Sequence, residues 1–305
     1  MLSKLSPFSI YALLSASALT LLPFGLWWQD PLTSFHPQLL LCSLILAVLF
    51  RRRKRATVAL LLAATAHAVF LAPSLIGHAR AESTPHDLRL LVSNVLTSNT
   101  EHAKLIALVH EIEPDVMILV EVSEAWVDGI QELKSVFPYR ITHPRSDNFG
   151  LVMWSRFPLD GSVKFLDSHL PSIVATVHAA EPFILIAAHP IPPISRRATE
   201  NRDLQLDAIA RLAAASKLPV VVAGDFNSAG WSPSLLKIQA AGGLRNASRG
   251  WVPTWPVYLF PLWVPLDHVL YSDGIGITDF HRAPSIGSDH YPIYADLRVL
   301  SMNNP

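Results

Sequence analysis

Apolar residues are spread unevenly along this chain. Three stretches, 7–28, 31–50 and 56–77, contain no Lys, Arg, Asp or Glu, and each is close to the roughly 20 residues that cross a bilayer core as a helix. They predict three transmembrane helices. The second is the weakest, because His36 and Gln38 shorten its strictly apolar part. Trp27 and Trp28 suit an interfacial belt, where an indole keeps its ring in apolar surroundings and its N–H wet. Beyond a polar linker over 80–88 the pattern changes. Apolar runs of strand length at 88–94, 116–120, 149–154, 173–178, 183–188, 220–223, 269–271 and 293–299 are interrupted by two segments of helical spacing, 101–112 and 200–215. Strands dominate, so a sheet-rich α/β or α+β domain over 82–305 is expected behind an anchor over 1–81.

Composition sharpens this division. The chain has 305 residues, of which 16% are charged, against roughly 25% in an ordinary soluble protein. Its net charge of zero hides two opposite parts. Residues 1–81 hold seven Lys/Arg and one acid, Asp30, which leaves 17 bases and 23 acids in 82–305. Arg51-Arg52-Arg53-Lys54-Arg55 is the one dense cationic run. Between two apolar stretches it reads as a cytoplasmic loop, which puts the amino terminus in the cytoplasm and the domain after residue 82 outside. The protein is thus expected in the cytoplasmic membrane, multi-pass, with an extracytoplasmic or periplasmic domain. Ala79-Arg80-Ala81 has the form of a signal-peptidase site, and cleavage there would release that domain. A single cysteine, Cys42, excludes an intramolecular disulfide. The three stretches hold no paired charges and have His36 and His67 as their only basic side chains, which gives a transport role little support.

Polar residues gather where the apolar runs end. Asn94 closes the first, Glu121 follows the second, His189 follows 183–188, and Asp225 with Asn227 follows 220–223. Asp267 and His268 open another run, and Asp289-His290 sits in a Gly-Ser loop before the last. A carboxylate directly after a buried strand stands at the rim of its sheet. Acidic groups without adjacent bases, converging from separate strand ends, are what a hard divalent cation such as Mg²⁺ requires. Each piece alone has an ordinary reading: a strand-end charge, an Asx turn, a hydrogen-bonded core histidine. The ordered set is harder to reach by accident.

In order, LVSNV, LVEV, NFGLVMWSR, AAHPIPP with NRDLQL, VVAGDFN, PTWP, LDHVL and GSDHYP resemble the endonuclease/exonuclease/phosphatase family, the superfamily of DNase I, exonuclease III-type endonucleases, neutral sphingomyelinases and inositol-polyphosphate 5-phosphatases. The likeness runs over essentially all of 88–299 and looks nearest to membrane-anchored bacterial YafD-like members. It implies a two-sheet αββα sandwich of the DNase I type, here preceded by three transmembrane helices, and hydrolysis of a phosphoester with Mg²⁺, for which Mn²⁺ can substitute. Carried over by residue, Glu121 is the principal metal ligand, with Asn94 beside it and Asp289 near the metal. Asp225 orients or deprotonates the attacking water and Asn227 holds a phosphate oxygen. His189 meets the scissile phosphate, and His290 sits on the phosphate, polarised by Asp267. Arg202 and Trp255 are the expected substrate contacts. Whether Asp225 or His290 is the base, and whether one metal or two are used, the resemblance leaves open.

The substrate is a separate question. With 17 bases against 23 acids, the domain lacks the cationic excess with which proteins hold duplex DNA, so genomic repair is disfavoured. A nuclease-like phosphodiesterase leads; a lipid-headgroup phosphodiesterase and a catalytically silent binding module are the alternatives. Residues 251–263 carry five aromatics and three prolines. Loop packing, contact with lipid and base stacking are three readings of that stretch.

Overall fold

The computed structural model describes residues 7–22, 26–76, 87–248 and 250–300. The apolar amino-terminal stretches form helices α1 (Pro7–Leu21), α2 (Gln29–Thr33), α3 (His36–Leu49) and α4 (Lys54–Ile76). Helices α3 and α4 are an antiparallel pair across the basic turn, with α1 against both around Ile10, Ala47, Phe50 and Leu60. A small polar contact lies inside: His36 Nδ1 is 2.8 Å from His67 Nδ1, and His67 Nε2 is 3.0 Å from Ser17 Oγ. Most of the outward side chains are apolar, among them Tyr11, Leu44, Val48, Leu62 and Val69.

Of the three expected spans, one has a helix of sufficient length among the described residues. The stretch Lys54–Ser74 is long and apolar enough to cross a membrane. Helices α1 and α3, at 15 and 14 residues, fall short, and the 31–50 stretch is broken between α2 and α3, where Ser34 and Phe35 join them. At about 1.5 Å per residue such helices reach little over 20 Å. The Ala79-Arg80-Ala81 site lies outside the described residues.

From Leu88 onward the chain builds β1 (Leu88–Asn94), α5 (His102–Ile112), β2 (Val116–Val120), α6 (Glu124–Gly129), β3 (Tyr139–His143), β4 (Leu151–Ser155), β5 (Leu159–Lys164), β6 (Ser172–Val177) and β7 (Phe183–Ala188). It continues through α7 (Arg196–Ala215), β8 (Val220–Asp225), α8 (Pro233–Gly242), β9 (Arg245–Asn246), β10 (Asp267–Tyr271), β11 (Ile275–Arg282) and β12 (Ile293–Val299). Two six-stranded sheets result, in the orders β11-β12-β1-β2-β4-β3 and β5-β6-β7-β8-β10-β9. Leu90, Val92, Ile118 and Met153 of one sheet meet Leu185, Ala187, Val221 and Val269 of the other in the shared core. Helices α5 and α6 cover the outer face of the first sheet, and α7 with α8 cover that of the second. This is the expected two-sheet αββα sandwich. The central strands are buried on both faces, which is why they read as unbroken apolar runs.

The topology decides where the chemistry goes. Strand β1 runs parallel to β2, and β7 runs parallel to β8, while the other pairings are antiparallel. The carboxyl ends of both parallel pairs therefore lie at one end of the sandwich. Antiparallel β10 and β12 bring their beginnings to that same end, with Asp267 opposite Asp225 and Ile293 opposite Val92. Asn94, Glu121, His189, Asp225, Asp267 and the 287–290 loop thus share one rim.

Candidate active site

Asp225 is the hub of that rim. Its Oδ2 accepts from Asn94 Nδ2 at 3.0 Å and faces His189 Nε2 at 3.5 Å and His290 Nε2 at 3.6 Å. Its Oδ1 accepts from the backbone N–H of Asn227 at 2.8 Å. Asn94, which reaches across to the second sheet through Asp225, donates also to Glu121 Oε1, just after β2 of its own sheet, at 2.9 Å. His290 Nδ1 lies 2.8 Å from Asp267 Oδ2, and Thr254 Oγ1 accepts from the N–H groups of Leu266 and Asp267, holding the start of β10. Asn227 Nδ2 lies 3.2 Å from His189 Nε2. All five expected catalytic residues, His189, Asp225, Asn227, Asp267 and His290, meet here.

Backbone geometry supports this placement. Glu121 and Asn227 both take positive φ, 61° and 50°, a conformation that costs a non-glycine residue about 1 kcal/mol or more and that persists where surroundings impose it. Gly224 has φ 149°, and a Cβ there would sit 1.9 Å from the Ala188 carbonyl oxygen. The glycine of GDFN is what lets β8 close on β7, and so what brings Asp225 to His189.

Electrostatics separate the roles. Burial by itself would lower the His290 imidazole, but Asp267 and Asp225 outweigh it and hold it up at about 10. Burial would raise Asp225, yet His290 and His189 beside it pull its carboxyl below the usual range. For Asp267 burial prevails and the carboxyl is raised, with His290 opposing. An imidazolium and an ionised carboxylate thus stand side by side at the rim. His268, also on β10, is pushed down to about 4 by burial and bonds Ser228 O and Asn246, a structural position.

Donor atoms of Glu121, His189 and Asp225 lie within 4.8 Å of one another. Carboxylate oxygens held at a fixed spacing at the cleft edge fit a hard divalent cation. Asp225, Asp267 and His290 are equally close, but His290 Nδ1 is already bonded to Asp267, so that trio is an ion-pair network. Asn94, expected as a ligand, turns its N–H groups toward both carboxylates while its Oδ1 accepts from Leu96 N–H at 3.0 Å; as it stands it spaces the acids. Asp289 is outside both close sets among the described residues, and its Oδ2 accepts from Trp255 Nε1 at 3.0 Å. When bound, Mg²⁺ or Mn²⁺ would supply positive charge beside a phosphoryl oxygen and acidify a coordinated water.

A sequence profile of the Endonuclease/Exonuclease/phosphatase family matches residues 91–290, about two thirds of the chain. The chain belongs to this family. No curated protein matches it. Among solved structures, an endonuclease/exonuclease/phosphatase from Beutenbergia cavernae DSM 12333 superposes with a TM-score of 0.59 at 20% identity, covering 70% of this chain and 72% of its own. D. rerio TDP2, in complex with a single strand DNA product, gives 0.58 at 16% identity, covering 70% and 99%. Sphingomyelinase C from Streptomyces griseocarneus gives 0.52 at 18%, again covering 70% and 99%. At such identities the likeness speaks to the fold alone.

Two family expectations meet different surroundings here. Arg202, expected on substrate, is 2% exposed, and it does not line the cleft. Its Nη1 pairs with Asp30 and its Nε and Nη2 with Asp203 Oδ1 at 3.0 and 2.8 Å. The guanidinium is committed to acids, one of them from the amino-terminal segment. Trp255 does line the cleft, 6.5 Å from the His290 ring. The rest of the aromatic stretch divides: Trp251 stacks on Trp231, and Trp263 packs with Arg282 and Tyr291, whereas Tyr258, Leu259, Phe260 and Leu262 are exposed.

Sequence reasoning missed one side of the site altogether. Trp27, Pro31, Ser34 and Phe35 line the same cleft as Glu121, His189, Asp225 and His290, a cavity of about 680 Å³. Phe149, over His189 at 5.4 Å, was inside a recognised motif but carried no assigned role. For residues 27–35 the only available signal was the aromatic and proline content of a turn between apolar stretches.

Proposed function

We propose that this protein is a divalent-metal-dependent phosphoester hydrolase, a phosphodiesterase that uses Mg²⁺ or Mn²⁺. The observation that carries the reading is the Asp225 carboxylate, which stands at once against Asn94, His189 and the His290–Asp267 pair. Asp225 accepts a proton from the attacking water, whose oxygen bonds phosphorus in line with the departing ester oxygen. The P–O ester bond breaks, and the leaving oxygen departs as an alcohol with a proton that His189 is placed to provide. Asn227 and His290 hold the phosphate oxygens. Nucleic acid and lipid headgroup are the two substrate classes to consider, and single strand DNA product and sphingomyelin belong to the neighbours' names, one to each class.

The proposal extends to anchoring in the cytoplasmic membrane with the domain on its outer side, as in membrane-anchored YafD-like members. The apolar outward face of the helices favours a non-aqueous neighbour. The exposed basic turn, residues 51–55, joins the ends of α3 and α4 remote from the domain, whereas Gln38 and Ser74, at their other ends, bond Trp263 and Gly250. That polarity agrees with a cytoplasmic basic loop.

The full chain, purified in detergent, is expected to hydrolyse a bis-aryl phosphodiester with Mg²⁺ and to stop with chelator. Glu121→Ala should cost about 10²-fold or more. Equal rates for Glu121→Ala and wild type would end the hydrolase reading.

A further inference from the structure

Every residue lining the cleft bears on what can enter it. None of the described residues that line it is Lys or Arg, while four, Glu121, Asp147, Asp225 and Asp289, are acids. Arg145, close by, is bonded to Asp147. A groove for a polynucleotide neutralises several phosphates in a row with cations. Among its described residues this cleft offers the two histidines of one catalytic centre and no row of cations.

The wall facing that centre is apolar and comes from the amino-terminal segment, through Trp27, Pro31 and Phe35. It is fastened by buried polar ties. Asp30, between Trp27 and Phe35, pairs with Arg202 and accepts from Ser234 Oγ at 2.8 Å. Trp231 Nε1 donates to Thr33 O at 2.8 Å, and Gln38 Nε2 donates to Trp263 O at 2.9 Å. Removing one partner of a buried charge pair strands the other, so these ties fix the wall to the domain.

The rims continue the same chemistry. Ile194 lines the cleft and is 76% exposed. Tyr258 and Phe260, at 74% and 71% exposure, project from the loop whose Val257 N–H bonds Asp289 O. Exposed apolar side chains on and beside a cleft, in a chain whose amino-terminal helices also carry an apolar outer face, serve a ligand that is itself apolar over part of its length.

We infer that the cleft takes the phosphodiester of a membrane phospholipid, its headgroup phosphate at Asp225, His189 and His290 and its apolar portion along Trp27, Pro31, Phe35 and Ile194. The amino-terminal segment is then part of the substrate site as well as a tether. This inference rests on the hydrolase reading above. Water adds to phosphorus, one P–O ester bond breaks, and the products are an alcohol and a phosphomonoester.

The test uses the full chain reconstituted with Mg²⁺ and three probes: vesicles of phosphatidylethanolamine and phosphatidylglycerol, a single-stranded oligonucleotide, and a bis-aryl phosphodiester. Wild type is expected to turn over the phospholipid faster than the oligonucleotide. Ile194→Asp, at an exposed position where folding is not at stake, should lower the ratio of phospholipid to bis-aryl ester turnover roughly tenfold or more, and Phe35→Ala should lower it in the same direction. Faster turnover of the oligonucleotide, or a ratio unmoved in both variants, overturns the inference and leaves the hydrolase standing. Absence of turnover with all three probes overturns both.

Discussion

Replacing Asp267 by Asn tests whether His290 works as an imidazolium. The variant keeps the shape of the side chain and removes the charge that lies 2.8 Å from His290 Nδ1. A hydrogen bond to a charged group is worth about 1.5–3 kcal/mol, and one pKa unit corresponds to about 1.4 kcal/mol. His290 should therefore fall from about 10 by roughly 1–2 units, with Asp225 still holding it above a free imidazole. The expected result is a pH-dependent defect. Turnover of a bis-aryl phosphodiester should change little near pH 7, where the imidazole stays protonated, and the alkaline limb of kcat should move down by roughly 1–2 pH units. Stability follows the same group. Because the folded value lies above the ordinary 6.5, the stabilisation is whole below pH 6.5 and is lost as pH rises through about 10. In Asp267→Asn that loss should be complete at correspondingly lower pH. Overall stability should also drop, because the buried bond between His290 and a charged carboxylate gives way to a weaker one to a neutral amide. An alkaline limb coincident with wild type, in a variant that folds, would refute the argument that Asp267 sets the charge of His290.

Gly224→Ala should cost roughly 2–4 kcal/mol of stability, combining a positive φ with a Cβ that meets the Ala188 carbonyl; a denaturation midpoint equal to wild type would show that β7 and β8 can part without strain. The variant should also lose activity, since parting these strands widens the His189–Asp225 gap. For the orientation across the membrane, alkaline phosphatase fused after residue 82 is expected to be highly active, and an inactive fusion there would reverse the outward assignment.

How much of this was legible in the sequence depended on where each element finds its partners. Strands β1, β2, β7 and β8 lie between a facing sheet and covering helices, so they appear as apolar runs that end abruptly in Asn94, Glu121, His189 and Asp225. The abrupt ends marked the site. Strands β3, β5 and β9 lie at sheet edges with half-exposed side chains and left no such trace; helix α7 begins at Arg196, four residues before its apolar periodicity, because Ser195 caps it by accepting from Ala198 N–H. Arg202 shows the opposite limit. The family resemblance suggested a substrate contact, and what redirects it is Asp30, 172 residues away, a partner that no local pattern could name. The same distance explains Trp27 and Phe35. Read locally, aromatic residues at the end of an apolar stretch satisfy a membrane interface, and nothing in their spacing asks for a second use. The Asp30–Arg202 pair, with the Trp231–Thr33 and Gln38–Trp263 bonds, fixes that turn against the domain and gives those rings an enzyme cleft to line. If the turn were a tether alone, Asp30 would have no reason to be buried, and an exposed acid at a membrane surface would have served as well.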